Sequence, residues 1–383
     1  MSYRLLHFAD LHLDRAFAGM GCQGELARRR RQGLRDALRL AGTVARDAGC
    51  AAVTIGGDLY EDERADVETA RFLVETFASW KPMRVFLAPG NHDPLLPGSI
   101  YARSEWPGNV HLFREPHFEP VALADGLTLW GLAHREPAWP GDPLDMAPLD
   151  ARDGVHIALF HGAELGSRPD GKSVHGPFRA EQIRQRGFAA ALCGHYHRRR
   201  VDGASGLIYP GSPEPLTFDE TGDRGGVIVD IGGDGRIGSE PLATNRWRAL
   251  TQQCDVSGCT SMSAVIDMLG DTCTMSGDGH APDRLMHRVD LVGAVDWSVP
   301  LDTFTLETTV RELTGTALVR VRDMTTPEHD IARVVDERST RGAFARAALT
   351  AAEHAADADE AAVLRDALRY GLAALSGCEV GLR

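Results

Sequence analysis

Five short polar clusters occur in order through the first half of the chain: Asp10-Leu11-His12, Gly57-Asp58, Gly90-Asn91-His92-Asp93, His161-Gly162 and Gly194-His195-Tyr196-His197. Each directly follows an apolar run that reads as a strand. The side chains are carboxylates, a carboxamide and imidazoles, with no thiolate. That donor set suits divalent cations of the Mn, Fe, Zn or Mg kind better than a thiolate-bound structural zinc. Two such cations about 3.5–4 Å apart repel one another, so a pair needs a shared anion between them. Asp58 is the natural bridge. Asp10, His12 and one of the imidazoles His195 and His197 would complete one ion, and Asn91, His161 and the other imidazole the second. A cation pair of this kind activates water and neutralises charge during displacement at phosphorus. His92, beside Asn91, is placed to give a proton to the leaving oxygen. Asp93 is placed to hold that imidazole in the right tautomer.

Such clusters need elements that bring them to one edge. Arg4–Ala9, Ala51–Ile55 and Met83–Ala88 read as strands, separated by a helix over 25–48 and a second that Asp66 caps and Pro82 closes. Phe118–Leu123 and Leu127–Leu132 flank Ala124-Asp125-Gly126 as a hairpin. Strands at Val155–Phe160, Ala189–Cys193, Leu207–Tyr209 and Val227–Ile231 follow, with a short helix at 180–186. Parallel α/β units combined with hairpins predict stacked sheets with helices outside, and polar groups at the carboxyl ends of their strands are how such folds build sites. A boundary is expected near Pro241–Arg246. Beyond it the pattern predicts a smaller α+β unit, then an Ala-rich helical pair broken near Asp357–Asp359.

Composition narrows the class. The chain has 383 residues, 43% hydrophobic and 25% charged, which excludes disorder, collagen-like repeats and a disulfide-built miniprotein. Seven scattered cysteines without a CxxC pair suit a reducing compartment. The opening RLLHFA reads as a strand rather than a signal peptide's apolar core, and no apolar run approaches the ~20 residues of a membrane span. The expected location is the cytoplasm, with no membrane partner. A formal charge of −13 argues against coating nucleic acid by bulk electrostatics. A local basic patch is still compatible with phosphate binding. Arg198-Arg199-Arg200, directly after His197, is the candidate for backbone contact, whereas most of Arg28–Arg31 must wrap the first long helix into solvent.

The clusters DLH, GGD, GNHD, HG and GHYH resemble the five-block signature of the calcineurin-like metallophosphoesterases. HFADLHLD, and LRDALRLA before GGDLYEDE, resemble the SbcD branch within them. The stretches GSIYARSEWPGNVHLF, the Phe178–His197 block and YPGSPEPLTFDETGDRGGVIVDI resemble still more the YhaO-like DNA repair exonucleases within that branch. The resemblance is dense over residues 3–231. It implies an α/β two-sheet metallophosphoesterase sandwich flanked by helices over 1–240, a smaller α+β capping domain that guides DNA over 247–330, and C-terminal helices over 338–383, whose apolar residues fit either docking of a partner or packing onto the cap. It further implies that Asp10, His12, Asp58 and His197 hold one manganese, that Asp58, Asn91, His161 and His195 hold the other, and that His92 is catalytic. The implied activity is metal-dependent DNA exonuclease and endonuclease cleavage. The implied partners are DNA and an SMC-like ATPase of the SbcC or YhaN-like kind, and the C-terminal helices also leave room for a homodimer. Acidic Glu61-Asp62-Glu63 departs from some relatives and puts DNA contacts at that rim in doubt. The alternatives are a small-molecule metallophosphodiesterase or phosphatase, and a non-catalytic scaffold for the ATPase.

Overall fold

The computed structural model describes residues 2–147, 153–168, 173–277 and 279–377; Cys378 and the last residues of the C-terminal helical segment lie outside them. The chain divides into two compact units, Met1–Arg248 and Ala249–Arg383.

The first unit begins β1 (Ser2–Phe8), α1 (Gly24–Asp47), β2 (Ala52–Ile55), α2 (Val67–Ser79), β3 (Arg84–Leu87), α3 (Ile100–Arg103) and β4 (Val110–Leu112). It continues with β5 (Glu119–Ala124), β6 (Leu127–Gly131), β7 (Val155–His161), α4 (Glu181–Gln185), β8 (Ala190–Gly194), β9 (Arg200–Asp202) and β10 (Leu207–Tyr209). β11 (Gly225–Gly232) and β12 (Ile237–Ala243) close it. Two six-stranded sheets result, in the orders β12-β11-β1-β2-β3-β4 and β5-β6-β7-β8-β10-β9. Strands β1, β2, β3 and β4 run parallel, as do β6, β7 and β8. Alternation along the strands sorts the side chains. Leu5, Phe86, Leu129, Ile157, Leu192 and Val229 fill one buried cluster shared by the two sheets. Trp130, Ala158, Phe160, Ala191 and Cys193 fall in a second, with Phe178, Ile183 and Phe188.

The helices start where their caps dictate. Asp66 accepts hydrogen bonds from the N–H groups of Glu68 and Thr69 at the start of α2, as its position predicts. Pairing across the sandwich is polar as well as apolar. The buried His7 places Nδ1 3.0 Å from Thr54 Oγ1 and Nε2 3.2 Å from the Cys193 carbonyl, joining β1 of one sheet to β8 of the other.

The second unit starts in β13 (Arg248–Asp255) and contains α5 (Met262–Met275), β14 (Leu285–Val292), β15 (Ala294–Asp296) and α6 (Thr303–Thr314). It then runs through β16 (Leu318–Asp323), β17 (Thr326–Glu328), α7 (Ile331–Val335), α8 (Thr340–Glu353) and α9 (Ala358–Leu375). β14 and β16 pair in parallel, with α6 in the chain between them. Among the described residues no helix is long and apolar enough to cross a membrane, and the six described cysteines are free and buried.

Candidate metal centre

The five clusters lie where β1, β2, β3, β7 and β8 end, and hydrogen bonds between the loops bring them together. The Asp10 N–H donates to the Gly57 carbonyl and the His12 N–H to that of Asp58. The His195 N–H donates to Asp10 Oδ1 at 3.0 Å, tying the β8 loop to the β1 loop. The backbone is forced into unusual shape to do this. Among the described residues six non-glycine positions have positive φ, and four of them are expected ligands: Asp10 at 56°, His12 at 51°, Asp58 at 53° and His195 at 123°. Strain of this kind persists only where the surroundings over-determine it, and it gathers at functional sites. Gly57, at φ 91°, is required for a second reason: a Cβ there would stand 2.6 Å from His161 Nδ1.

The ligand set closes around Asp58. Its Oδ2 lies 3.6 Å from His12 Nε2 and 3.4 Å from His161 Nε2, between the two groups of side chains. Asp10, His12 and His197 converge on one side. On the other, His161 Nε2 is 3.0 Å from Asn91 Oδ1 and 3.2 Å from His195 Nδ1.

The tautomers decide what such contacts mean. Each of these four imidazoles has an acceptor on its outer nitrogen: Glu61 for His12 Nδ1 at 3.0 Å, the Gly56 carbonyl for His161 Nδ1 at 2.8 Å, the Ser173 carbonyl for His195 Nε2 at 3.3 Å and Glu220 for His197 Nδ1 at 2.8 Å. The neutral ring therefore carries its proton outward and aims a lone pair inward. His161 Nε2 then faces the Asn91 oxygen, the His195 lone pair and the Asp58 carboxylate with no proton to offer any of them. His12 Nε2 is buried without a hydrogen-bond partner, opposite the same carboxylate. Lone pairs converging on lone pairs are repulsive until a cation stands among them, so these residues fit a pair of divalent ions.

Titration agrees with this division of labour. Burial keeps His12 and His161 below the ordinary histidine range, and it pushes His195 down to about 4. All three stay neutral, as ligands must. Burial opposes ionisation of Asp58, but the charged His92, whose backbone N–H also donates to Oδ1 at 2.9 Å, helps hold it below the usual carboxylate range. Asp10 is driven the other way, by burial and then by the charge on Asp58. Two carboxylates so close need a compensating cation to share the site as anions.

His92 differs in kind. Its side chain is 44% exposed, and a 2.9 Å hydrogen bond from Nδ1 to Glu61 Oε2 raises it to about 9. It is therefore a proton donor at neutral pH. The group that orients it is Glu61, not Asp93. Asp93 is fully buried and turned to the backbone, accepting the N–H groups of Asp58, Leu59 and Gly90 and the Tyr101 hydroxyl. Glu61 instead spans two imidazoles, His12 and His92, and also takes Arg15 at 3.2 Å. Its place three residues after Asp58 was the one available signal, and it reads in sequence only as an acidic rim.

The basic run is split by the structure. Arg200, though 38% exposed, is bound 2.7 Å from the buried carboxylate of Glu164, so its charge is already engaged within the protein. Arg198 is exposed and Arg199 partly so, and neither forms an ion pair among the described residues. In the run of four on α1, Arg30 alone is fully buried.

Residues 3–199 match the family model for calcineurin-like phosphoesterases. The metallophosphoesterase YhaO of Bacillus subtilis is 26% identical over 278 residues, covering 70% of this chain and 66% of that one. The DNA double-strand break repair protein Mre11 of Methanopyrus kandleri is 27% identical over 287 residues, covering 67% of this chain and 60% of that one. The aligned region thus spans less than two thirds of each relative. A solved dimetal phosphatase from Danio rerio is 14% identical with a TM-score of 0.38, covering 63% of this chain and 99% of that one. With the five clusters assembled at the strand ends and more than half of its length matched by the family model, the chain belongs to the calcineurin-like phosphoesterase family.

Proposed function

We propose that this phosphoesterase is a DNA nuclease of the SbcD/YhaO-like kind, using two divalent ions, manganese foremost, and working beside an SMC-like ATPase of the SbcC or YhaN-like type. The convergence of inward lone pairs on Asp58 carries the metal part of this reading. Similarity to a relative named for double-strand break repair supports the DNA part. In this reading Asp10, His12, Asp58 and His197 hold one ion, and Asp58, Asn91, His161 and His195 the other. When bound, the pair supplies Lewis-acid chemistry, lowering the pKa of water and neutralising phosphate charge.

The protein's own groups do the rest. Glu61 fixes the tautomer of His12 and keeps His92 charged, so that the exposed imidazolium edge of His92 can give a proton to the departing alkoxide oxygen. Asp93 holds the Asp58 and Gly90 turns in place through their N–H groups. Arg198 and Arg199 offer point charges for phosphate contact near the site. The second unit is the surface that guides a polymer.

The test is hydrolysis by the purified chain with manganese. Labelled linear duplex, single strand and hairpin are compared with a chromogenic phosphodiester, and Asp58→Ala serves as the control. DNA cleavage lost in the control is the expected result. Turnover of the small ester alone, with and without the ATPase, would replace the nuclease reading by a small-molecule phosphodiesterase.

A further inference from the structure

The acceptor behind His197, Glu220, belongs to a larger buried polar frame. Glu220 takes the His197 Nδ1–H, and its other oxygen accepts the Ser212 hydroxyl at 2.6 Å and the Leu216 N–H at 2.9 Å. Arg224 donates from Nη1 to the His197 carbonyl at 2.8 Å and to Ser212 at 2.7 Å. His197 is thus held twice, by its ring and by its carbonyl.

One of these holders, Arg224, is fastened directly to a further segment, and Glu220 reaches it through Arg224, whose Nε donates to the Glu220 carbonyl at 2.7 Å. The Arg224 carbonyl accepts the N–H groups of Thr244 and Asn245, and its N–H donates to Asn245 Oδ1 at 2.9 Å. Asn245 Nδ2 donates to the Trp247 carbonyl at 2.8 Å. Glu214, on the same loop as Glu220, accepts the N–H of Arg246 at 2.8 Å and that of Trp247 at 3.2 Å. The fully buried Arg30 lies 3.7 Å from Glu214, with its guanidinium between the rings of Phe17, at 4.6 Å, and Trp247, at 4.7 Å. Phe17 closes the loop that carries Asp10 and His12. A buried cation with aromatic faces on both sides and a carboxylate at its end is a stiff joint, because each partner lost leaves a charge without solvent.

Residues 244–247 are the stretch through which the chain leaves its first unit. We propose that this exit segment sets how tightly the Asp10–His12–His197 side of the centre holds its cation, with Glu220 and Arg224 as the positioning residues that carry the link. The inference rests on the two-cation reading above. It makes occupancy of one ion, and hence the competence of the site, responsive to whatever pulls on the exit segment. The ion on the Asn91–His161–His195 side has its outer acceptors at Gly56 and Ser173 and is outside the link.

The experiment titrates the full chain with manganese alone, reading both affinities calorimetrically and by electron paramagnetic resonance. Glu220→Gln should weaken one of two ions by roughly 10–100-fold, as expected when an outer-shell partner is lost. Asn245→Ala, which touches no ligand, should weaken the same ion by roughly 2–30-fold with the other unchanged. Asn245→Asp keeps the acceptor for the Arg224 N–H and should recover part of the loss. Unchanged affinities in a folded Asn245→Ala chain overturn the proposal, as does an equal loss at both ions. A wild-type chain that binds fewer than two ions brings down the two-cation reading itself, and this inference with it.

Discussion

Replacing Glu61 by Gln removes one charge and one acceptor from a side chain that serves two imidazoles. In the wild type, one carboxylate oxygen takes the His12 Nδ1–H and the other takes the His92 Nδ1–H. An amide has a single acceptor oxygen, and its NH₂ would face the second imidazole proton with a donor. His12 is buried and has no alternative, while His92 is 44% exposed and can turn to water. The oxygen therefore stays with His12, and His92 loses its anion. The Glu61 hydrogen bond is the largest cause of the rise of His92 from 6.5 to about 9, so the variant should return it to the neighbourhood of 6.5. At pH 8 the protonated fraction falls from about 0.9 to about 0.03, a loss of about 30-fold in any step that needs that proton. The sign follows from the raised value: the acid form is present below pH 9 in the wild type and lost as pH rises through it. Rates are measured from pH 6 to 10 with manganese on a labelled oligonucleotide, whose alkoxide leaving group needs a proton, and on a nitrophenyl diester, whose leaving group does not. The DNA rate should lose its high-pH plateau in Glu61→Gln while the nitrophenyl rate barely moves. An unchanged DNA profile would refute the assignment of His92 as acid and of Glu61 as its anion.

Other outcomes follow from the same geometry. Asp93→Asn leaves at least one of four buried donors facing an NH₂ group, which should cost about 1–3 kcal/mol; chemical denaturation reads this, and an unchanged midpoint contradicts the backbone role. Arg198→Ala and Arg199→Ala should each reduce the salt slope of DNA binding by about one. Arg200→Ala should leave that slope alone and lower the melting temperature, because it leaves the buried Glu164 with the Gly166 N–H and the Ser167 hydroxyl but no cation; a changed slope in place of lost stability would reverse the assignment. Manganese should remain bound at pH 6, where an exposed histidine is largely protonated, because burial holds His195 at about 4 and depresses His12 and His161. Release at pH 6, followed by equilibrium dialysis, would contradict neutral ligands.

How much of this was legible in the chain depends on distance along it. The convergence of the five polar clusters was, because each follows a strand directly and the parallel order β1-β2-β3 with β7-β8 carries every such turn to the same edge. The partners of the ligands were not. Glu61 meets His12 across 49 residues and Glu220 meets His197 across 23, and no local periodicity encodes either pairing. Asp93 misleads for the same reason: adjacency to His92 suggests a dyad, but a carboxylate with three backbone N–H groups within reach has a better use. Arg200 reads as part of a cationic run until Glu164, 36 residues earlier, is brought beside it. α6 leaves little trace in the sequence, because its Thr-rich stretch buries only Leu306 and Val310, too few for an apolar stripe.

The central claim is that outward-bonded imidazoles and a bridging carboxylate hold two cations. The measurement that tests it most directly is manganese stoichiometry, by metal analysis of the dialysed chain, for the wild type beside Asp58→Ala. Two ions per chain, falling to one or none in a variant that stays folded, is the expected result. Fewer than two ions in the wild type, or two retained without Asp58, would contradict it.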